Sequence, residues 1–286
     1  MTAANMEILA ALLGLLAGLG GGAGYLADQT AQQLLLAQLD RVEVLEVRIQ
    51  SRPNYRFLSG QADRLLVAGR GLYRAPFPRI ELLELETDPV AIDPSFFRGA
   101  PLRLERPLQA AVRVVVREED LNAALNSPEV LRQFQDIRAD LPFSGRRDEP
   151  RRFDLRQPRV EFLAPDRLRL SALLVEQEGG SEQKDSVPLT RTVDVVFNAG
   201  IRVEEGRRLQ LQDPEFVIGS VRVPDEISAA FLGGLNEVFD LQELEDLGIL
   251  VRVLSLEIGS DQLQVIGFVR VESLETLMGS QRAALP

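Results

Sequence analysis

Cysteine, histidine and tryptophan are all absent, and Lys184 is the one lysine in 286 residues. Without cysteine there is no disulfide, no thiolate nucleophile and no thiolate metal site. Without histidine the usual general base, the Ser-His-Asp arrangement and His-ligated zinc are all excluded. Carboxylates, arginine, tyrosine, hydroxyls and one lysine remain, a set that points away from an enzyme. Aromatics are only 6% of the chain, so platforms for sugar rings are few, and no carboxylate pair for glycoside hydrolysis stands out among 43 acids. The formal net charge of −11 repels phosphate backbones, so nucleic acid is not an expected partner. An anionic membrane would repel most of the chain too, which leaves attachment to an apolar device.

Such a device is present at the N-terminus. Ile8 to Ala27 carries no charged residue, and about 20 apolar residues suffice for a helix to cross a bilayer core. Gly20, Gly21, Gly22 and Gly24 weaken its second half as a helix. Two readings stay open: an uncleaved anchor, or a secretory signal with Ile8–Leu19 as its apolar core. A cut after Ala27 would place bulky Tyr25 unfavourably. A buried core helix is the bland alternative. The first basic residue is Arg41, so charge does not set an orientation.

From Val42 to Ile49 apolar residues alternate with Arg and Glu, which is strand periodicity. Further strands are expected at Leu65–Ala68, Ile80–Thr87, Leu102–Leu104, Ala110–Val116, Val160–Leu163, Leu168–Val175, Val187–Phe197, Ile201–Val203, Leu209–Leu211, Phe216–Val223, Ile249–Ile258 and Leu263–Val271. Short turns between them favour antiparallel pairing. Several runs, such as Ala172–Val175 and Val193–Phe197, are apolar on both faces and need cover on both sides. A two-layer core explains this, and so does a sheet curled around a helix. Helices are expected over Glu118–Asn126, over Pro128 to about Arg138 with Val130, Leu131, Phe134 and Ile137 inward, and over Asp225–Asp246. The last would be about 33 Å long. Its stripe holds Ile227, Phe231, Gly234, Leu235 and Val238. Gly233-Gly234 in mid-helix suits a close approach by backbone or by a ligand chain. The Asp225 helix start weakly echoes the Glu119 start, which shared helix-start chemistry explains as well as duplication does.

Motifs with chemical content are few. Gly69-Arg70-Gly71 follows a strand but precedes no helix, so it reads as a bulge or turn, not a phosphate loop. Glu118-Glu119-Asp120 and Glu243–Asp246 lack the spacing of a calcium loop and read as solvated helix ends. Gly145–Pro158 concentrates Arg146, Arg147, Arg151, Arg152 and Arg156. It reads as a solvated loop, or as a contact for lipid phosphates, whose oxygens match the Arg fork.

The stretch from Asp40 to Asp93 adds a resemblance. It contains Asp40-Arg41-Val42-Glu43, Val47-Arg48-Ile49, Pro53-Asn54-Tyr55, Gly60-Gln61-Ala62-Asp63-Arg64, Ala68-Gly69-Arg70-Gly71-Leu72 and Leu83-Glu84-Leu85-Glu86-Thr87-Asp88-Pro89. Together with Glu118–Leu125 it resembles the LmeA-like phospholipid-binding family, in the form of its cyanobacterial branch, over about residues 30–275. The resemblance implies a β-rich lipid-binding fold similar to tubular lipid-binding proteins, on the non-cytoplasmic side of a membrane. It carries over no catalytic motif. Arg117 departs from it, standing where the family pattern favours a hydroxyl helix cap.

The resulting expectation is an α+β fold, with a strongly curved antiparallel β-sheet wrapped around long amphipathic helices behind an N-terminal hydrophobic membrane segment. Residues 1–27 form the signal or anchor, 28–39 a short helix, 40–277 the lipid-binding domain and 278–286 a tail. The expected function is non-catalytic binding, or transfer, of a membrane phospholipid in an apolar groove. Cavity candidates are Leu121, Leu125, Val195, Phe197, Ile227, Phe231, Gly234, Leu235 and Val238. Head-group candidates are Arg146, Arg147, Arg151 and Arg152. No metal and no cofactor is expected; the expected partners are a membrane and its lipid, on the periplasmic side of a cell envelope. An acidic envelope scaffold without a lipid cavity is the alternative, and a carboxylate enzyme comes third.

Overall fold

The computed structural model describes residues 32–33, 36, 39–95, 103–139, 151–177, 192–219, 221–223, 241, 244–245 and 248–273. Two six-stranded antiparallel sheets dominate it. Sheet 1 contains β1 (Val44–Gln50), β3 (Arg64–Leu72), β4 (Ile80–Thr87), β6 (Leu108–Arg117), β13 (Ile249–Ile258) and β14 (Gln262–Val271), in the order β1-β3-β4-β6-β14-β13. Sheet 2 contains β7 (Ile137–Ala139), β8 (Arg151–Leu163), β9 (Arg167–Glu176), β10 (Thr192–Glu204), β11 (Arg208–Ile218) and β12 (Val221–Arg222), in the order β12-β11-β10-β9-β8-β7. A small pair joins β2 (Gln61–Ala62) to β5 (Val90–Ala91). The chain thus leaves sheet 1 after β6, builds sheet 2, and returns to complete sheet 1 with the β13–β14 hairpin.

The expected long helices are corrected by this architecture. The described residues are 62% strand and 14% helix. The α-helices described along their whole length are two short ones, α1 (Glu118–Leu125) and α2 (Pro128–Gln133), and Gln32, Gln33 and Leu36 are helical as well. The local chemistry explains the brevity. Ser127 precedes Pro128, and a residue before proline is driven out of the helical region, so α1 must stop. Ser127 then caps α2 by accepting the Val130 N–H. Asp136 has φ +57°, which breaks the expected run to Arg138; Ile137 enters β7 instead. Of the expected inward stripe, Val130 and Leu131 are half-buried and Phe134 is exposed, so the stripe faces inward only in part. Of the expected helix over 225–246, residues 224–240 lie outside the described residues, and Leu241, Leu244 and Glu245 sit in 3-10 turns. The N-terminal segment 1–27 lies outside them as well; no described helix is long and apolar enough to cross a membrane. The single curved sheet is in fact two.

Sheet 1 buries one face largely by alternation, with register shifts at Ile80/Leu82 and Val253/Ser255 and with Val115 buried on the other face. Val47, Val67, Leu85, Val112, Gly267 and Val253 form one cross-sheet row. Leu45, Gly69, Leu83, Val114, Val265 and Leu256 form the next. A period of two puts all of these on one side and Glu46, Arg48, Glu84, Glu86 and Arg113 on the other. The core gathers on the apolar side, where Leu36, Leu39 and Val42 pack against Leu45, Leu72 and Leu83 among others. Thr87 is the buried polar side chain of this region; its hydroxyl accepts the Leu65 N–H at 3.0 Å.

Candidate functional site

Helix α1 lies along the open edge of β8 and completes it with side chains. Glu118, Asn122 and Asn126 recur at every fourth position, hence on one helix face. Phe162 N–H donates to Glu118 Oε2 at 2.7 Å, Val160 N–H donates to Asn122 Oδ1 at 2.7 Å, and Asn122 Nδ2 donates to Val160 C=O at 2.8 Å. Asn126 Nδ2 donates to Pro158 C=O at 2.8 Å. The helix therefore replaces a neighbouring strand and hides an edge that would otherwise invite pairing with another chain. Arg117, at the N-cap position, makes no side-chain cap. The Glu118 N–H instead donates to Asp261 C=O in the β13–β14 turn at 2.9 Å, which removes the need for a hydroxyl there.

The same helix turns Leu121 and Leu125 onto a cluster of Val160, Phe162 and Ile258, with Ile201, Leu256 and Leu263 against it. Leu256, Ile258 and Leu263 belong to the apolar face of sheet 1. Val160 and Phe162 belong to an apolar face of sheet 2, which continues across Leu170, Phe197 and Phe216 in one row. One apolar surface thus runs from sheet 1, past α1, onto sheet 2. Beside it a cleft of ≈ 740 Å³ opens between α1, β8, β9 and β10, with Asn122, Asn126, Pro158, Ala172 and Val195 among its lining residues. That volume falls in the range of small-molecule sites. It lies at a bulge where Gln157, with φ +51°, and Pro158 together oppose the one residue Ala172. Pro158 has no N–H to lose and is tolerated because β8 is an edge here.

The sequence candidates are distributed as follows. Leu121 and Leu125 are half-buried at the seam, Val195 lines the cleft, and Phe197 is 4% exposed with its ring 6.5 Å from that of Phe216 in an edge-on contact. Leu121 and Leu125 thus meet at the seam, Val195 lies across the cleft from α1, and Phe197 lies two strands from Val160 in the same row. Ile227, Phe231, Gly234, Leu235, Val238, Arg146 and Arg147 lie outside the described residues. Arg151 begins β8, opposite Ala139. Arg152 is exposed and pairs with Asp136 at 3.3 Å. The second half of the expected basic loop is therefore strand. Asn122 and Asn126 were not singled out from the sequence; their recurrence at every fourth position after Glu118 was the available signal.

A charge knot fixes the first turn of α1. Arg79 donates to Glu43 at 2.6 Å, to Glu81 at 2.7 Å and to Asp120 at 3.1 Å. These carboxylates, Glu81 first, hold the Arg79 guanidinium far above its ordinary pKa, and the Arg79 hydrogen bond holds Glu81 below the usual carboxylate range, helped by Arg117. Gly71, in β3, has φ +61°, and a side chain there would run into Glu43. The Gly69-Arg70-Gly71 run is thus strand, with Gly71 its left-handed residue. Among the described residues no group of three or more acids forms a metal-binding cluster.

No curated protein and no solved structure matches the chain. The model of the LmeA-like phospholipid-binding family matches residues 18–268, most of the chain, and the chain belongs to that family.

Proposed function

We propose that this member of the LmeA-like phospholipid-binding family holds the acyl chains of a membrane phospholipid along the apolar surface that joins its two sheets. What supports the reading is the apolar row of sheet 2 that continues from this buried seam, where Leu170 is 37% exposed, beside the ≈ 740 Å³ cleft lined by Ala172 and Val195. A chain laid along it would gain roughly 0.8 kcal/mol per buried methylene, so a single acyl chain offers ample drive without any charge. The protein works as a binder or carrier rather than as a catalyst, on the extracytoplasmic side of a membrane. Val195 and Phe197 serve as acyl contacts, and Ile227, Phe231, Gly234, Leu235 and Val238 join them on their sequence pattern alone. Arg146, Arg147, Arg151 and Arg152 serve as contacts for surrounding head groups.

The test is lipid uptake from vesicles, read by native mass spectrometry of the full chain. Wild type should emerge with phospholipid bound. Val195→Trp, which fills the cleft, should lower occupancy about tenfold, equivalent to ~1.4 kcal/mol, while leaving the melting temperature nearly unchanged. A wild type that carries no lipid and takes none up would sink the reading in favour of an acidic scaffold. Full occupancy in Val195→Trp would move the acyl site elsewhere on the surface.

A further inference from the structure

We propose that a second pocket, between Arg41, Tyr73 and α1, seats the head group of a zwitterionic glycerophospholipid with its phosphate on Arg41. This rests on the lipid-binding reading and adds where the polar end goes. The pocket has a volume of ≈ 940 Å³ and is lined by apolar and charged side chains together. Backbone geometry fixes its cation. Arg41 and Tyr73 form an antiparallel bridge in which Tyr73 N–H donates to Arg41 C=O at 2.9 Å and Arg41 N–H to Tyr73 C=O at 3.2 Å. Residues paired this way carry their side chains side by side, and the Arg41 guanidinium carbon stands 5.7 Å from the Tyr73 ring centroid. A guanidinium held against a ring keeps its planar fork of donors available to phosphate oxygens.

The charges around it select the ligand. Arg41 and Arg79 are the cations lining the pocket. Arg79 is committed to Glu43, Glu81 and Asp120. Arg41 is exposed and makes no ion pair among the described residues. The acids lining the same pocket are Asp40, Glu43 and Asp120. Asp40 accepts the Ala75 N–H at 2.8 Å, while the Glu43 side chain is 63% exposed. A wholly anionic head group would find one available cation and then face carboxylates. A head group with an ammonium beside its phosphate would meet Arg41 and Glu43 at once. Leu36, Leu39 and Val42 form the apolar wall and pack against the sheet 1 core, so acyl chains leaving this head group pass onto the apolar face already described.

The experiment incubates the full chain with phosphatidylethanolamine vesicles, phosphatidylglycerol vesicles, and diacylglycerol dispersed in detergent, and counts bound lipid by native mass spectrometry. Wild type should prefer phosphatidylethanolamine to phosphatidylglycerol. Arg41→Ala should lower phosphatidylethanolamine occupancy roughly tenfold, as loss of a charge-assisted contact implies, and leave diacylglycerol unchanged. Glu43→Gln should narrow the preference between the two phospholipids. If Arg41→Ala keeps full phosphatidylethanolamine occupancy, or loses diacylglycerol in step, Arg41 does not hold the phosphate and the assignment fails while lipid binding stands. If wild type takes phosphatidylglycerol equally well, the zwitterionic assignment fails. Uptake of none of the three lipids by wild type overturns this proposal and the reading beneath it.

Discussion

Asn122 shows how much one amide can decide. It accepts from Val160 N–H and donates to Val160 C=O, a task that needs both ends of a carboxamide. Asn122→Asp keeps the acceptor and sets a second oxygen against the carbonyl. It should cost about 1–3 kcal/mol, close to Asn122→Ala, measured by urea unfolding. Arg79 makes a related prediction with a pH sign. The folded-state pKa of Glu81 is depressed, so its contribution is fully present above the unfolded value of 4.5 and is lost as pH falls through the lower folded value. Arg79→Met should therefore destabilise the protein clearly at neutral pH, and the gap from wild type should shrink as the pH is taken to the acid side of 4.5. An equal gap at both pH values would show that the Arg79 contacts contribute no charge-dependent stability. Neither residue was legible in the sequence as a partner of its neighbours, because both meet groups remote in the chain: Val160 lies 38 residues from Asn122, and Asp120 lies 41 from Arg79.

Strands were the legible elements, since alternation and turn residues are local signals. The strands from Val44 to Gln50 and from Ile249 to Val271 lie close to where the pattern puts them. Bulges were not legible, and they shape sheet 2. Gln157-Pro158 in β8 and Asp213-Pro214 in β11 each set a left-handed residue before a proline, and each pair opposes a single residue on the neighbouring strand. Such bulges bend a strand and increase its twist. The β8 bulge also keeps Arg156 and Arg159 on one face, opposite Leu173 and Ser171, where an unbroken strand would split them. Helix extent was misjudged for a related reason: the apolar spacing through Phe134 and Ile137 fits a helix, but Asp136 turns the chain into β7. Because Gln157 holds φ +51°, Gln157→Val should cost about 1–3 kcal/mol as a β-branched residue in that region. Gln157→Gly should be neutral or better. Thermal melts of the two variants check the pair; equal melting temperatures would mean the bulge relaxes at no cost.

At the scale of the molecule, the insertion of sheet 2 between β6 and β14 makes the two sheets depend on each other. Strands β6 and β14 pair along their whole length, Leu108 with Val271 through Arg117 with Gln262, so the chain that builds sheet 2 runs between two strands that are neighbours in sheet 1. The turns of sheet 2 then bond to the outer edge of β13. Asp166 accepts the Ile258 N–H on its carboxylate at 3.0 Å and donates its own N–H to Ile258 C=O at 3.3 Å, while Gly206 C=O accepts the Val253 N–H at 2.8 Å. The two Asp166 bonds hold Ile258, a member of the Val160–Phe162–Ile258 cluster, where the apolar surface crosses from one sheet to the other. Asp166 has φ +51°, so Asp166→Gly removes the carboxylate without adding backbone strain, and Asp166→Asn keeps the acceptor. The glycine variant should lose about 1–3 kcal/mol through the unpaired Ile258 N–H, and the asparagine variant much less. Hydrogen exchange gives the sharper reading, because local opening is distinguished from global unfolding amide by amide. If the seam couples the sheets, amides of β10 around Val195 and Phe197 should exchange faster in Asp166→Gly while those of β3 and β4 hold. Uniform acceleration across both sheets would mean that they open as one unit, and that the apolar surface is continuous for reasons other than this seam.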